Sequence, residues 1–215
     1  MRLIAQDCYQ LDRQKGSHGF VVVGAARTAV VDPGMSSGSD GVIAELRAGE
    51  ATTGPVTDIV LTHYDVDHAQ AAQRLQEALG ATVWIGAADA DILRGRRTPH
   101  TLFRKVLQRL VRVALPAGAR ELTGAGEIFP ALAYFPTPGH TPGHVAYQWR
   151  GVLFTGDAAR VSAGGGVGDF AAIFIDDKPT AAATVGLLAE RIDSGSVEWI
   201  CSGHDPVARV TSATR

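Results

Sequence analysis

Short apolar runs alternate along the chain with longer segments whose apolar residues recur at helical spacing. The short runs are rich in β-branched residues and predict buried strands, at residues 20–23, 28–31, 58–61 and 82–85. The first two runs are joined by a short segment and are typical of a hairpin. The longer segments predict helices, at residues 41–47, 69–79 and 180–192. Because strands and helices alternate, we expect an α/β (α+β) fold in which helices cover sheets on both faces.

Polar residues cluster where one of these strands ends. Directly after the run 58–61, the chain carries His63, Asp65, Asp67 and His68. Imidazole nitrogens and carboxylate oxygens on a rigid loop of this kind suit a hard or borderline divalent metal ion. The alternative is a purely structural turn, in which Asp67 caps the helix that follows.

Other strand-like runs end in residues of the same chemical type. These residues are His140 and His144 in a loop rich in Pro and Gly, Asp157 after an apolar run, and His204 after another. The recurrence of ligand-type residues at four strand ends predicts one site, assembled at the carboxyl edge of the sheets.

Five short motifs follow one another in the order and at the spacing of a known family. They are Asp32-Pro33-Gly34, the His-x-Asp-x-Asp-His run from His63 to His68, Gly139-His140-Thr141, Gly156-Asp157 and Gly203-His204. As a set they resemble the motifs of the metallo-β-lactamase fold superfamily. The resemblance implies a four-layer αββα sandwich with the metal site at one edge between the two sheets. It also implies one such domain over residues 1–215.

The resemblance further implies two neighbouring divalent metal ions. Zinc is the commonest ion in the family, and iron and manganese are the alternatives. Carried over residue by residue, His63 and His140 hold the first ion, Asp67, His68 and His204 hold the second, and Asp157 bridges both. Asp67 would also position the attacking hydroxide, which makes it the candidate catalytic residue.

Asp65 stands where most members of the family have a second His. A third carboxylate lowers the net positive charge of the site and favours harder metals, so Asp65 is a further candidate ligand at the first position. Its short side chain could reach that ion only through water, which would leave the protein with one functional ion. Four more residues are expected to support the ligands or to line the site: Asp32, His18, Tyr64 and His144.

The composition excludes several classes of partner and location. Hydrophobic residues make up 46% of the chain, and the net charge of −2 gives no reason to expect a nucleic-acid partner. Cys8 and Cys201 are predicted to be buried free thiols, as in a reducing cytoplasm. Neither a signal peptide nor a membrane span is expected. We therefore expect a cytoplasmic protein with a small-molecule substrate. Its oligomeric state is open, and a homodimer is one alternative.

Residues 94–120 form a basic segment with eight Arg or Lys residues and no acidic ones. Apolar residues at helical spacing predict that one helix face is buried, and Thr98-Pro99 is a plausible helix start. One interpretation is a solvated basic face on a packed helix. The other is an inserted lid beside the metal loop, whose charge attracts an anionic substrate.

The expected function is hydrolysis of a small ester, thioester or lactone by attack of metal-bound hydroxide. Glyoxalase II enzymes add a C-terminal helical region, whereas this chain ends soon after His204, so that branch of the family is not expected. Asp65 favours an alternative of another class, an iron-dependent oxidoreductase similar to persulfide dioxygenases or flavodiiron proteins.

Overall fold

Two mixed β-sheets form the centre of the computed structural model. The structure describes residues 1–211, without the side chains of residues 102, 103, 108 and 109. The strands in this part of the chain are β1 Arg2–Ala5, β2 Cys8–Gln10, β3 Phe20–Val23, β4 Thr28–Val31, β5 Val56–Val60, β6 Thr82–Gly86, β7 Arg120–Leu122, β8 Gly126–Phe129, β9 Leu132–Pro136, β10 Val145–Trp149, β11 Val152–Gly156, β12 Arg160–Val161, β13 Val167–Gly168, β14 Trp199–Ser202 and β15 Ala208–Arg209. The α-helices are α1 Ser39–Thr53, α2 Val66–Ala69, α3 Ala72–Leu79, α4 Ala87–Leu93, α5 Leu102–Leu110 and α6 Lys178–Arg191.

The order of the strands brings their carboxyl ends together. The first sheet has the order β1-β2-β3-β4-β5-β6-β7, and the second has the order β15-β14-β11-β10-β9-β8. Strands β4, β5 and β6 are parallel to one another, as are β11 and β14. Parallel strands end at the same edge of a sheet, so the loops that follow them lie side by side. The predicted hairpin is confirmed, because β3 and β4 pair antiparallel with Phe20 opposite Val31.

Three separate apolar cores define four layers. Alternate residues of a strand point to opposite faces, so Val21 and Ile59 pack under helices α1 and α3, while Phe20 and Val60 face the second sheet. A third core lies between the second sheet and α6, where Leu188 packs with residues of β11 and β14. The αββα sandwich expected from the resemblance is therefore confirmed.

Several local predictions need correction. The helix predicted over 69–79 is two helices, α2 and α3, separated at residues 70–71. Asp67 lies inside α2 rather than at its N-cap, which is Asp65, so the alternative prediction that Asp67 caps the helix is wrong. Thr98-Pro99 does not start the basic helix. That helix begins after Thr101, whose hydroxyl accepts a hydrogen bond from the Arg104 N–H (3.3 Å).

Both thiols are buried and free, as predicted, and burial raises the pKa of Cys8 to about 12. Among residues 1–211, no helix is both long and apolar enough to cross a membrane.

Candidate metal centre

Four side chains converge where β5, β11 and β14 end, and they correspond to the expected second metal position. Nε2 of His204 lies 3.2 Å from Asp67 Oδ2 and 3.3 Å from Asp157 Oδ2. Nε2 of His68 lies 3.3 Å from Asp157 Oδ1 and 3.9 Å from Asp67 Oδ2. Two imidazole nitrogens and two carboxylates at these separations could surround one cation.

A second group lies next to it, around the expected first position. The rings of His63 and His140 are 4.8 Å apart, and Asp157 Oδ2 lies 3.7 Å from His140 Nε2. Oδ2 of Asp65 lies 3.1 Å from Nε2 of His140 and 3.4 Å from Nε2 of His63. The structure thus brings all seven candidate ligands to one edge between the sheets.

Thr62 and Asp32 fix the orientation of two histidines. Asp32 Oδ1 accepts a hydrogen bond from the Thr62 N–H (2.8 Å), and Oδ2 accepts one from the Thr62 hydroxyl (2.6 Å). The same Oδ2 lies 2.8 Å from His68 Nδ1, and the Thr62 oxygen lies 2.9 Å from His63 Nδ1. Both rings therefore donate through Nδ1 and present the lone pair of Nε2 to the site. Asp32 acts here as the supporting residue that was expected, whereas Thr62 was missed.

His144 uses both of its ring nitrogens within the protein. Nε2 accepts a hydrogen bond from the Asp157 backbone N–H (3.3 Å), and Nδ1 lies 2.8 Å from the Thr137 hydroxyl. Its ring stacks on His63 with centroids 5.0 Å apart. This arrangement places His144 behind the ligand positions, where it holds the backbone of Asp157.

Tyr64 and His18 lie close to the site, and the Tyr64 hydroxyl and Nδ1 of His18 have no hydrogen-bond partner among the described residues. Tyr64 is buried, and its ring lies under the guanidinium of Arg104, 5.6 Å from centroid to Cζ. His18 is half-buried, and its backbone N–H donates to the Gly203 carbonyl (2.7 Å). That bond fixes the backbone immediately before His204.

Arg104 is the most important residue that the sequence did not single out. It is 2% exposed, and Nη1 pairs with Asp65 Oδ1. Nη2 lies 3.0 Å from His140 Nε2 and also donates to the carbonyl oxygens of His140 (3.2 Å) and Phe174 (2.7 Å). Nε lies 3.3 Å from Asp176 Oδ1. In the sequence, Arg104 was one of eight similar cations, so no local signal distinguished it.

Asp89, on α4, is a second missed residue, and it organises two loops of the site. Its carboxylate accepts hydrogen bonds from the Tyr64 N–H (3.1 Å), the Thr141 hydroxyl (2.8 Å) and the Gly143 N–H (2.7 Å). The backbones approach so closely here that a Cβ at Gly86 would overlap the carbonyl of Gly143. Asp89 thereby ties the loop of His63 to the loop of His140.

Phe170 covers the open side of the cluster. Its ring packs edge-on against His140, with centroids 5.1 Å apart, and lies 6.2 Å from the ring of His204. Arg160 lies over the same ring at 5.9 Å and is paired with Asp205. The glycine-rich segment before Phe170 includes the β12–β13 hairpin.

Comparison with known proteins identifies the family. A family profile described as the metallo-beta-lactamase superfamily matches residues 13–204, which is most of the chain. The chain belongs to this superfamily. Solved structures share the fold: the BLEG-1 B3 metallo-beta-lactamase superposes with a TM-score of 0.68 at 22% identity, over 94% of this chain and 93% of that chain. The di-iron-bound form of TTHA1623 superposes with a TM-score of 0.65 at 25% identity, over 93% of this chain and 92% of the TTHA1623 chain.

Among curated relatives, this superfamily member is 32% identical over 195 residues to a hydroxyacylglutathione hydrolase of Fuscovulum blasticum. The match covers 89% of this chain and 63% of the relative. A second hydroxyacylglutathione hydrolase, from Cereibacter sphaeroides, is 33% identical over 66% of this chain and 48% of its own length. The chain thus spans less than two thirds of the curated relatives it matches. We did not expect similarity to this branch, because of the length of chain after His204, yet the shared region resembles it.

Superfamily membership implies divalent metal binding, and the second position fits a cation. The Nε2 atom of His68 and Oδ1 of Asp157 are buried and face each other at 3.3 Å, and neither makes a hydrogen bond with the described residues. A buried polar atom without a partner costs about 1–3 kcal/mol, so converging atoms of this kind favour a bound cation. At the first position, Nε2 of His63 is likewise without a partner, but Nε2 of His140 faces Arg104.

At the second position, the acidic side chains raise the pKa values of the two histidines that they face. Burial lowers the pKa of His68, but Asp157 and Asp32 outweigh it and raise that pKa well above the usual range. Hydrogen bonds to Asp157 and Asp67 raise the pKa of His204 to about 9. In the first group, burial lowers the pKa of His140 to about 4. Protons therefore occupy the second position when no metal is bound, and a metal ion must displace them.

Proposed function

We propose that this protein is a metal-dependent hydrolase of small thioesters, with zinc as its metal. The convergence of His68, His204, Asp67 and Asp157, with Nε2 of His68 and Oδ1 of Asp157 buried and without a hydrogen bond, is the observation that carries the proposal. The hydroxyacylglutathione hydrolases among its relatives support a thioester over an ester or a lactone.

The four side chains of the second position would hold the ion. A divalent cation bound there supplies Lewis acidity, which lowers the pKa of water and polarises a carbonyl. Asp67 and His204 are the most open of the four, with side chains 34% and 31% exposed, so substrate approaches from their side. Asp67 positions the attacking water by accepting its hydrogen bond, while Asp32 keeps the lone pair of His68 directed at the ion.

A cavity of about 420 Å³ lies beside the metal loop, and we assign it to an apolar acyl group of the substrate; none of the four side chains of the second position lines it. Asp65 and Arg104 contribute to its lining, and the apolar part of the wall consists of Val66, Ile92, Leu93, Leu107, Val111, Val113 and Ala114. The exposed Arg112 on the same lining offers a cation for an anionic substrate. Ligand cavities of this size and composition are typical of small-molecule sites.

The proposal is tested with matched thioester, ester and lactone substrates that share one acyl group. Zinc-loaded protein should cleave the thioester fastest, measured by a chromogenic thiol reagent for the thioester and by acid release for the others. A chelator should abolish the rate, and added zinc should restore it. Equal rates with and without bound metal would overturn the proposal.

The alternative function, an iron-dependent oxidoreductase, depended on Asp65 as a metal ligand. Asp65 is instead paired with Arg104, which weakens that support. The two functions are separated by measuring oxygen consumption with glutathione persulfide on iron-loaded protein. Oxygen uptake above that of the metal-free protein would favour the oxidoreductase, and its absence would remove the dioxygenase version.

Thr62→Val should weaken metal binding without removing a ligand. The substitution keeps the side-chain shape but deletes the hydroxyl that links Asp32 to His63. Loss of such a supporting hydrogen bond typically costs about 10–100-fold in metal affinity. Competition with a chromogenic chelator measures the change. Thr137→Val, which removes the hydroxyl beside His144, is the matched control, and a larger effect there would contradict the role given to Thr62.

A further inference from the structure

The guanidinium of Arg104 lies within the group of side chains expected to hold the first metal ion. It pairs with Asp65, and its Nη2 is 3.0 Å from Nε2 of His140. These are two of the atoms that would face an ion at this position. Arg104 lies on α5, and its side chain also lines the cavity beside the metal loop.

The chemistry of this contact determines which atom donates. A guanidinium stays protonated in proteins and has no acceptor, so toward Arg104 the Nε2 atom of His140 can act only as an acceptor, through its lone pair; Oδ2 of Asp65 lies 3.1 Å from the same nitrogen. The same lone pair is needed to bind a metal ion. Arg104 and an ion at the first position therefore compete for His140, and their positive charges repel each other.

The surroundings hold the guanidinium firmly in this place. Asp65 lies on one side and Asp176, at 3.3 Å, on another, so two carboxylates face one buried cation. Two carbonyl oxygens, of His140 and Phe174, accept further hydrogen bonds. A buried charge with this many partners belongs to the packed interior of the protein and not to its solvated surface.

We propose that Arg104 is a built-in cation that takes the place of the first metal ion, so that the chain holds one divalent ion, at the second position. The inference rests on the metal centre of the proposed function. It also explains Asp65, because a carboxylate pairs with a guanidinium where the imidazole usual in the family would be repelled when protonated. The site keeps a fixed positive charge at the first position but loses one exchangeable ion.

The test is metal stoichiometry, measured by elemental analysis after equilibration of the full chain with excess zinc or manganese and removal of the free ion. Wild type should retain one ion per chain. Arg104→Gln should retain two, because it frees His140 Nε2 and leaves Asp65 and Asp176 without their cation. Lys105→Gln removes the same charge from the neighbouring position of α5 and should retain one. With manganese, only Arg104→Gln should show the magnetic coupling of a close ion pair in its EPR spectrum.

A second variant keeps the test decisive if Arg104→Gln does not fold. Arg104→Met keeps the length of the side chain but removes its charge and its hydrogen-bond donors, so it should also retain a second ion. Two ions in wild type, or one ion in all folded variants, would overturn the assignment of Arg104. No ion in wild type or in any variant would instead overturn the metal centre itself.

Discussion

Asp157→Ala should abolish hydrolysis and deplete the bound metal while leaving the fold nearly intact. The carboxylate lies 3.3 Å from Nε2 of both His68 and His204, so its loss removes the side chain that joins the two imidazoles. The Lewis acidity of a bound ion contributes several kcal/mol to the reaction, and about 4 kcal/mol corresponds to roughly a thousandfold in rate. We therefore expect activity below about one thousandth of wild type, measured as kcat/KM on the preferred thioester.

The fold should survive because Asp157 contacts His144 through its backbone rather than through its side chain. Its N–H donates to Nε2 of His144, and that bond does not depend on the side chain. Thermal unfolding of the metal-free proteins measures this: the variant should still unfold cooperatively, at a lower Tm, because it loses the carboxylate that faces the protonated His68 and His204. Asp169→Ala, which removes an exposed carboxylate from the loop before Phe170, is the control and should keep its metal. Full metal content in Asp157→Ala would contradict the proposed site.

The positions of the candidate ligands could be predicted because they follow apolar runs that are short enough to be strands. Four such runs, ending before His63, His140, Asp157 and His204, each carried a polar residue where packing does not require one. The carboxyl ends of parallel strands meet at one edge of a sheet, so residues that directly follow such strands in the sequence lie close together in the structure.

The supporting residues could not be predicted, because their roles depend on contacts between distant segments. Asp89 joins loops 25 and 54 residues away, and Arg104 reaches Asp65 across 39 residues. A basic amphipathic helix gives no indication of which cation turns inward. The break between α2 and α3 was missed for a similar reason. There, the Ala71 N–H bonds to the Gly34 carbonyl (2.9 Å) of another loop.

Gly203→Ala should disrupt metal binding without deleting any ligand. A Cβ at this position would lie 2.6 Å from Cε1 of His68 and still closer to Oδ1 of Asp157. The backbone cannot retreat, because the Gly203 N–H donates to Gly156 (3.0 Å) and its carbonyl accepts from His18 (2.7 Å). The methyl group must therefore displace two side chains that the proposed ion requires.

The expected result is a loss of metal affinity of about 100-fold or more, since displaced ligands should cost at least as much as an altered supporting residue. Stability of the metal-free protein should fall by roughly 1–3 kcal/mol, as for other overpacked sites. Gly168→Ala is the matched control, because a Cβ there meets no atom within 4 Å. Isothermal titration with zinc and urea unfolding measure the two effects separately. If Gly203→Ala bound zinc as tightly as Gly168→Ala, the ion could not lie between His68 and Asp157, and the second position would have to be abandoned.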